Sequence, residues 1–211
     1  MARALASRLG YRYIDSGAMY RAVTLYAIRN NLQNDKEALI KALPSINIDF
    51  VRNESGTQDT LLNNENVESE IRSMAVSDLV STIAAIPQVR QAMVSKQQKF
   101  GISKGIVMDG RDIGTTVFPN AELKIFVDAS PETRARRRFE ELQAKGDTST
   151  TFEKVLANIK DRDYADSHRE ESPLRKAKDA IVLNNSEMDI EEQNRWLDEA
   201  VRKQMLTDSE N

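Results

Sequence analysis

The apolar run Ile106-Val107-Met108 is the feature that most constrains the fold, because a glycine precedes it and turn-forming residues follow it. Three apolar residues are too few for a helix, so we interpret them as a strand buried on both faces, as in a parallel sheet. Asp109-Gly110-Arg111-Asp112 comes next, and open α/β sheets bind ligands beyond the carboxyl ends of their strands. Arg111 and Asp112 could therefore hold a phosphate and a polar ring. A solvated turn with an internal Arg–Asp pair explains the same residues.

Strands and helices alternate along most of the chain, which predicts an α/β fold. Short apolar runs predict further strands at residues 11–14, 123–127 and 180–183, of which the last two are expected to be buried. Hydrophobic periodicity and capping residues predict helices at residues 1–10, from Met19, between Asp35 and Pro44, at residues 67–85 and 87–100, after Ser130-Pro131, from Phe152, and at the end of the chain, where Ile190, Leu197 and Val201 are expected to face inward.

A small antiparallel β element is predicted after Pro44, where Ile46, Ile48 and Phe50 alternate with polar residues. Polar turns follow at Gly56 and at residues 63–66. The element spans roughly 25 residues and interrupts the α/β pattern, so we interpret it as an insertion. Its many polar tips argue against a place in the central core.

Three polar segments could bind anions, and each has a simpler explanation. Asp15 and Ser16 start a helix that carries Arg21 one turn further on, which suits an anion but is also ordinary helix capping. Four arginines crowd the helix after Pro131, where a solvated face with nearby glutamates is the usual reason. The apolar stripe of the helix from Phe152 continues into charged residues, which could line a cleft or form intrahelical ion pairs. The charged residues of the last two helices are Arg134, Arg136, Arg137, Arg138, Arg162, Asp166 and Arg169.

Composition excludes several classes of protein. The 211 residues contain no cysteine, which rules out disulfides and thiol catalysis, and they show no His/Cys cluster of the kind that binds metals. The formal net charge of −3 gives no reason to expect nucleic acid as a partner. No apolar run approaches the ~18 residues of a membrane span, and no signal-peptide pattern opens the sequence. We therefore expect a cytoplasmic protein that does not bind membranes.

Six short motifs occur in an order that resembles bacterial cytidylate kinases. They are residues 15–21 (Asp-Ser-Gly-Ala-Met-Tyr-Arg), Ser81 with residues 84–90 (Ala-Ala-Ile-Pro-Gln-Val-Arg), residues 109–115 (Asp-Gly-Arg-Asp-Ile-Gly-Thr), residues 117–119 (Val-Phe-Pro), residues 124–128 (Lys-Ile-Phe-Val-Asp) and residues 159–163 (Ile-Lys-Asp-Arg-Asp). Each motif is weak, but the ordered set is specific, and the similarity extends to about Asn185.

The resemblance implies the fold of a nucleoside-monophosphate kinase, a P-loop kinase-like parallel sheet flanked by helices. On this basis we expect a single kinase-like domain with a core at residues 1–44, 76–130 and 170–211. A monophosphate-binding insertion would cover residues 45–75, and a helical lid would cover residues 131–169. The implied reaction is phosphoryl transfer from ATP, with Mg²⁺, to CMP or dCMP, carried out by a monomer.

The resemblance also assigns roles to residues that match the family's motifs. Ser16, Arg21 and Arg111 would hold the acceptor phosphate. Ser81, Arg90 and Asp112 would read the cytosine edge. Arg162, Asp166 and Arg169 would hold the ribose and close over the nucleotide, and Arg134, Arg137 and Arg138 would lie over the donor phosphates. With Arg111, these last three arginines would be the catalytic residues.

One departure from the family affects the donor side. The family has a strand followed by a Gly-rich P-loop of the form G-x-x-x-x-G-K-[ST], which cradles the donor phosphates, and these 211 residues contain no such sequence. We therefore expect a form that lacks the first strand and P-loop, that strand lying between those that end at Met108 and Val127. Two alternatives stay open. A CMP-binding protein without catalysis would not need the lid arginines, and a kinase of another monophosphate would not need Ser81, Arg90 and Asp112.

Overall fold

In a computed structural model, which describes residues 1–54, 57–144 and 146–209, helices surround two pairs of parallel strands and a small antiparallel sheet. The predicted turns at Gly56 and around Lys145 fall partly outside the described residues. The strands are β1 (Arg12–Asp15), β2 (Ile48–Arg52), β3 (Gln58–Leu62), β4 (Glu65–Asn66), β5 (Ile106–Asp109), β6 (Ile125–Asp128) and β7 (Ile181–Asn184). The helices are α1 (Ala2–Leu9), α2 (Ser16–Arg29), α3 (Lys36–Ala42), α4 (Met74–Ala84), α5 (Pro87–Gly101), α6 (Pro131–Ala144), α7 (Phe152–His168) and α8 (Ile190–Ser209).

The parallel strands form two separate pairs. β1 pairs with β5, so that Asp15 lies beside Asp109, and β6 pairs with β7, so that Asp128 lies beside Asn184. Among the described residues no ladder joins one pair to the other. The carboxyl ends of β1 and β5 therefore share one edge, where their following loops can meet.

The prediction that these strands are fully buried is wrong. The residues of β5 are half-buried, and Val127, Ile181 and Val182 are 44%, 40% and 48% exposed. Only Leu183 of β7 is buried, at 1% exposure. A two-stranded sheet has few neighbours in its own plane, so the described structure covers only part of each strand.

The main hydrophobic core instead lies around α2, and the insertion contributes to it. Ile46, Ile48, Phe50 and Leu62 are all buried in the same cluster as Met19 of α2. The expectation that the insertion stays outside the central core is therefore wrong. The alternation in β2 places Ile48 and Phe50 on one face of the small sheet, and that face packs into the core.

Most predicted helix boundaries agree with the structure. Gly10 adopts a left-handed conformation, φ 67°, and ends α1, and Asp15 caps α2 by accepting a hydrogen bond from the Ala18 N–H. Two expectations differ. The helix predicted from Val67 begins at Met74, where Ser73 is the N-cap, after a short 3-10 turn at Glu70–Arg72. Ile190 is 78% exposed rather than buried, because it is the first residue of α8.

Candidate nucleotide-binding site

The site begins where β1 and β5 end. The Ser16 hydroxyl donates to the Asp109 carbonyl oxygen at 2.6 Å, which fixes the start of α2 against the loop after β5. A Cβ atom on Gly110 would lie 2.2 Å from the Ser16 Oγ, so only glycine permits this close approach. The spacing of Ser16, Gly110 and Arg111 in the sequence thus becomes a local cluster in the fold.

A buried ion pair joins α5 to the loop after β5. Arg90 and Asp112 are each 4% exposed at the side chain, and Arg90 Nη2 donates to Asp112 Oδ2. Arg90 Nη1 also donates to the Ala84 carbonyl oxygen at 3.2 Å. A carboxylate and a guanidinium held together in a dry site offer an acceptor and several donors to a polar ring. Such a pair is costly to bury, which is a reason to look for a ligand beside it.

Several arginines crowd the opposite end of the site. Burial lowers the pKa of Arg21 to about 10, and the positive charges of Arg162, Arg72 and Arg138 contribute to the shift. Burial, followed by the charge of Arg111, also lowers the pKa of Arg162. The Nε atom of Arg162 is buried and has no hydrogen-bond partner among the described atoms. A bound anion would offset this repulsion and supply the missing acceptor.

Asp166 of α7 connects this cluster to the end of β5. Its Oδ2 accepts from Arg111 Nε at 2.9 Å, and its Oδ1 accepts from Arg169 Nη1 at 3.2 Å. Asp166 is 7% exposed, so the two bonds lie in a partly desolvated position. They hold the carboxyl end of α7 over the loop that follows β5.

All nine residues predicted to bind the acceptor nucleotide line one cavity of about 80 Å³, which we call the polar cavity. Its volume is well below the roughly 300–1,000 Å³ of ordinary ligand pockets. The ion pairs Arg90–Asp112 and Asp166 with Arg111 and Arg169 cross its space. The nine residues are Ser16, Arg21, Ser81, Arg90, Arg111, Asp112, Arg162, Asp166 and Arg169.

The three arginines predicted for the donor phosphates do not line this cavity. Arg134 forms an ion pair with Asp163 of α7 at 2.6 Å, and Arg137 donates to the Asn185 carbonyl oxygen at 2.7 Å. Arg138 forms an ion pair with Glu141 within α6, and its charge reaches Arg21 and Arg162. In this structure the three therefore bind protein partners.

The sequence analysis did not find four residues at or near the site. Tyr20 lines the polar cavity, and the Arg90 guanidinium lies 5.2 Å from the centre of its ring. Gln97 is 1% exposed and lies near the Tyr20 hydroxyl, without a hydrogen bond of ordinary geometry between them. Arg72 forms an ion pair with Asp15, and Asp109 accepts two hydrogen bonds from the Tyr13 hydroxyl. Only the helical spacing of Gln97 from Arg90 is a signal that the sequence offered.

The described residues contain no group of three or more His, Cys, Asp or Glu side chains that could hold a metal ion. Among the described residues no helix is both long enough and apolar enough to cross a membrane.

Parallel strands whose carboxyl ends carry a buried Arg–Asp pair beside clustered arginines define an α/β protein built to bind a phosphorylated ligand. Comparison with known proteins is more specific, because the family model described as cytidylate kinase matches residues 1–202. The chain belongs to the cytidylate kinase family and is thus a nucleoside-monophosphate kinase, a class of transferase.

Three relatives show the extent of the similarity. The cytidylate kinase of Bacteroides thetaiotaomicron is 59% identical over 208 residues, which cover 96% of this chain and 90% of that protein. The cytidylate kinase of Parabacteroides distasonis is 58% identical with the same coverage. That of Porphyromonas gingivalis is 58% identical over 93% of this chain and 87% of the relative. The similarity therefore includes both the core and the predicted lid.

Proposed function

We propose that this protein transfers a phosphoryl group from ATP to CMP or dCMP. The observation that carries the proposal is the polar cavity, where a buried Arg90–Asp112 pair lies at one end and several arginines lie at the other. A nucleoside monophosphate has the matching polarity, because its base needs donors and acceptors and its phosphate needs positive charge.

The base of the nucleotide would lie against Ser81, Arg90 and Asp112. Cytosine carries an exocyclic amino group that donates to a carboxylate, and its ring nitrogen and carbonyl accept from a guanidinium. Uracil carries a carbonyl where cytosine has the amino group, so it would meet the carboxylate of Asp112 unfavourably. This pair thus supports a preference for cytosine.

The phosphate would lie against Ser16, Arg21 and Arg111, with Arg162, Asp166 and Arg169 around the ribose. The lowered pKa values of Arg21 and Arg162 reflect mutual repulsion that a dianionic phosphate relieves. The ligand must also replace the contacts that now link Asp166 to Arg111 and Arg169. Binding would therefore exchange internal ion pairs for contacts with the nucleotide.

Donor binding would involve Arg134, Arg137 and Arg138 of α6, which with Arg111 would stabilise the charge that develops in transfer. Phosphoryl transfer depends mainly on positioning and electrostatic stabilisation, so these residues need only supply charge in the right place. Mg²⁺ would be held largely by the donor phosphates, as is usual where a protein supplies few carboxylates. In the present structure Arg134 and Arg137 would have to leave their protein partners first.

A CMP-binding protein without transfer activity is the second candidate, because the 211 residues lack the G-x-x-x-x-G-K-[ST] sequence that binds donor phosphates. A protein form with an additional strand and such a loop stays a prediction. The expected domain boundaries, monomeric state and cytoplasmic location also stay predictions.

Calorimetric titration and a coupled assay with ATP, Mg²⁺ and CMP separate the two candidates. We expect the 211-residue chain to bind CMP more tightly than UMP, and turnover to require a form that contains a P-loop. Even one lost donor to developing charge costs about 10²–10³ in rate, and the loop supplies several. CMP binding without turnover in the loop-containing form would favour the second candidate. Equal affinity for CMP and UMP would contradict the base assignment.

A further inference from the structure

We propose that Arg72 is a positioning residue for the phosphate end of the polar cavity. It would act by holding Asp15, and through Asp15 the start of α2, where Ser16 and Arg21 lie. The inference deepens the proposed function and rests on it for the identity of the ligand. It rests on the contacts of Arg72 for the mechanism.

Arg72 lies at the end of the insertion and reaches the core through its side chain. Its Nη2 donates to Asp15 Oδ2 at 2.8 Å, and it also donates to Glu68 Oε1, from Nη2 at 3.0 Å and from Nε at 3.1 Å. Asp15 is largely buried, with a side chain that is 16% exposed. The guanidinium therefore lies between two carboxylates, and its own charge is neutralised.

Glu68 is itself fixed by the small antiparallel sheet. Its Oε2 accepts from the Thr60 hydroxyl at 2.6 Å and from the Thr60 N–H at 3.1 Å. Thr60 of β3 is 1% exposed, so this anchor lies inside the insertion. Contacts thus run without a break from β3 through Glu68 and Arg72 to Asp15.

Asp15 passes this constraint to the site. Its Oδ1 accepts from the Ala18 N–H at 2.8 Å, and its Oδ2 accepts from Arg72, so both carboxylate oxygens are occupied. The neighbouring Ile71 carbonyl oxygen accepts from Arg21 Nη1 at 3.2 Å. Residues 71 and 72 therefore hold two parts of α2 that face the phosphate end, the N-cap and Arg21.

The charge of Arg72 alone does not explain this arrangement. A guanidinium meant to bind phosphate would be expected to point into the cavity, but Arg72 does not line the polar cavity. Its two carboxylate partners make it a poor anion ligand, while the fixed geometry of its nitrogens suits it to align groups. Position, rather than direct binding, is the function that its contacts support.

Arg29 provides a matched control within the same chain. It also joins α2 to the insertion through two carboxylates, Glu65 at 2.8 Å and Glu70 at 2.7 Å. Its side chain is 33% exposed, the same as that of Arg72. It lies at the last residue of α2 and does not line the polar cavity, so its loss should affect stability without moving the phosphate residues.

The test compares Arg72→Met, Arg29→Met and the unchanged chain by calorimetric titration with CMP and with cytidine, which lacks the phosphate. We expect Arg72→Met to weaken CMP binding by at least about tenfold, equivalent to about 1.4 kcal/mol, while cytidine binding changes by less than about twofold. Arg29→Met should leave both affinities within about twofold. Arg72→Lys should recover part of the CMP affinity. If Arg72→Met and Arg29→Met gave the same ratio of CMP to cytidine affinity, the inference would be wrong.

Hydrogen exchange provides a readout that does not need the ligand. Arg72→Met should speed exchange of the amide hydrogens at residues 17–19, and Arg29→Met should not. If the unchanged chain bound no CMP, the proposed function would fail, and unaltered exchange at residues 17–19 would separately contradict the role of Arg72. If Arg72→Met did not fold, Glu68→Gln keeps Arg72 but weakens its anchor, and the same two measurements apply to it.

Discussion

At the scale of single residues, the site is organised by charges that face one another at short distance. Asp112 and Arg90 are both nearly inaccessible to water, so neither can lose its partner without leaving a buried charge. The sequence analysis placed both residues in one recognition set, but it could not show that they bind each other, since they lie on different elements. Such a pairing depends on how α5 packs against β5.

Replacing Asp112 with Asn should reduce the preference for CMP over UMP. The carboxylate accepts from the cytosine amino group, whereas the amide can present a donor to uracil, and such a match is worth roughly 1–3 kcal/mol. Calorimetric titration of both nucleotides measures the ratio of affinities, which is less sensitive than either affinity to the loss of stability caused by leaving Arg90 unpaired. An unchanged ratio would show that Asp112 does not read the base.

Asp109 should make stability depend on pH. Burial, followed by the negative charge of Asp15, raises its pKa to about 6, whereas the unfolded chain should titrate near about 3.9. The folded protein therefore keeps a proton that the unfolded chain releases, and this contribution is complete below about pH 4 and disappears as the pH rises through about 6. The residue as a whole is exposed although its carboxyl group lies against Tyr13 and Asp15, so solvent should limit the effect to less than about 1 kcal/mol.

Chemical denaturation at pH 5 and at pH 7.5 tests this dependence. The unchanged protein should lose more free energy of unfolding over this interval than Asp109→Asn, which carries no titratable group at that position. His168 and the other carboxylates remain in both proteins, so their contributions cancel in the difference. Parallel changes in the two proteins would assign the pH dependence to other groups.

At the scale of elements, local signals predicted strands and helices better than they predicted burial. The caps at Asp15, Asp35 and Ser130 act within three residues, and the structure confirms all three. Burial of β6 and β7 was predicted from apolar character alone, and this failed because burial depends on which elements lie alongside. The contacts of Arg72 escaped detection for the same reason, since Asp15 is distant in the sequence.

Neighbouring residues of β7 should respond very differently to substitution. Val182 is 48% exposed, so Val182→Thr should change the free energy of unfolding by no more than about 0.5 kcal/mol. Leu183 is 1% exposed, and Leu183→Ala should cost about 2–5 kcal/mol. Urea denaturation measures both. A large loss for Val182→Thr would mean that this face of the strand is covered in the protein in solution.

At the scale of the whole molecule, the polar cavity draws residues from every major part of the chain. Ser16 and Arg21 come from α2, Ser81 and Arg90 from α4 and α5, Arg111 and Asp112 from the loop after β5, and Arg162, Asp166 and Arg169 from the region of α7. Motif order was enough to assemble this set from the sequence. The ion pairs that cross the cavity, and its small volume, follow from side-chain packing that motif order does not contain.

The pairing of β1 with β5 also constrains how the protein is made. Arg12 lies beside Ile106, so the first strand has no parallel partner until about ninety more residues have left the ribosome, a delay of roughly 5–20 s at ordinary rates of synthesis. During that interval α2 and the insertion can already bury Met19, Phe50 and Leu62 together. Synthesis should therefore yield a partly folded amino-terminal half whose nucleotide site forms only when the segment around Asp109 emerges.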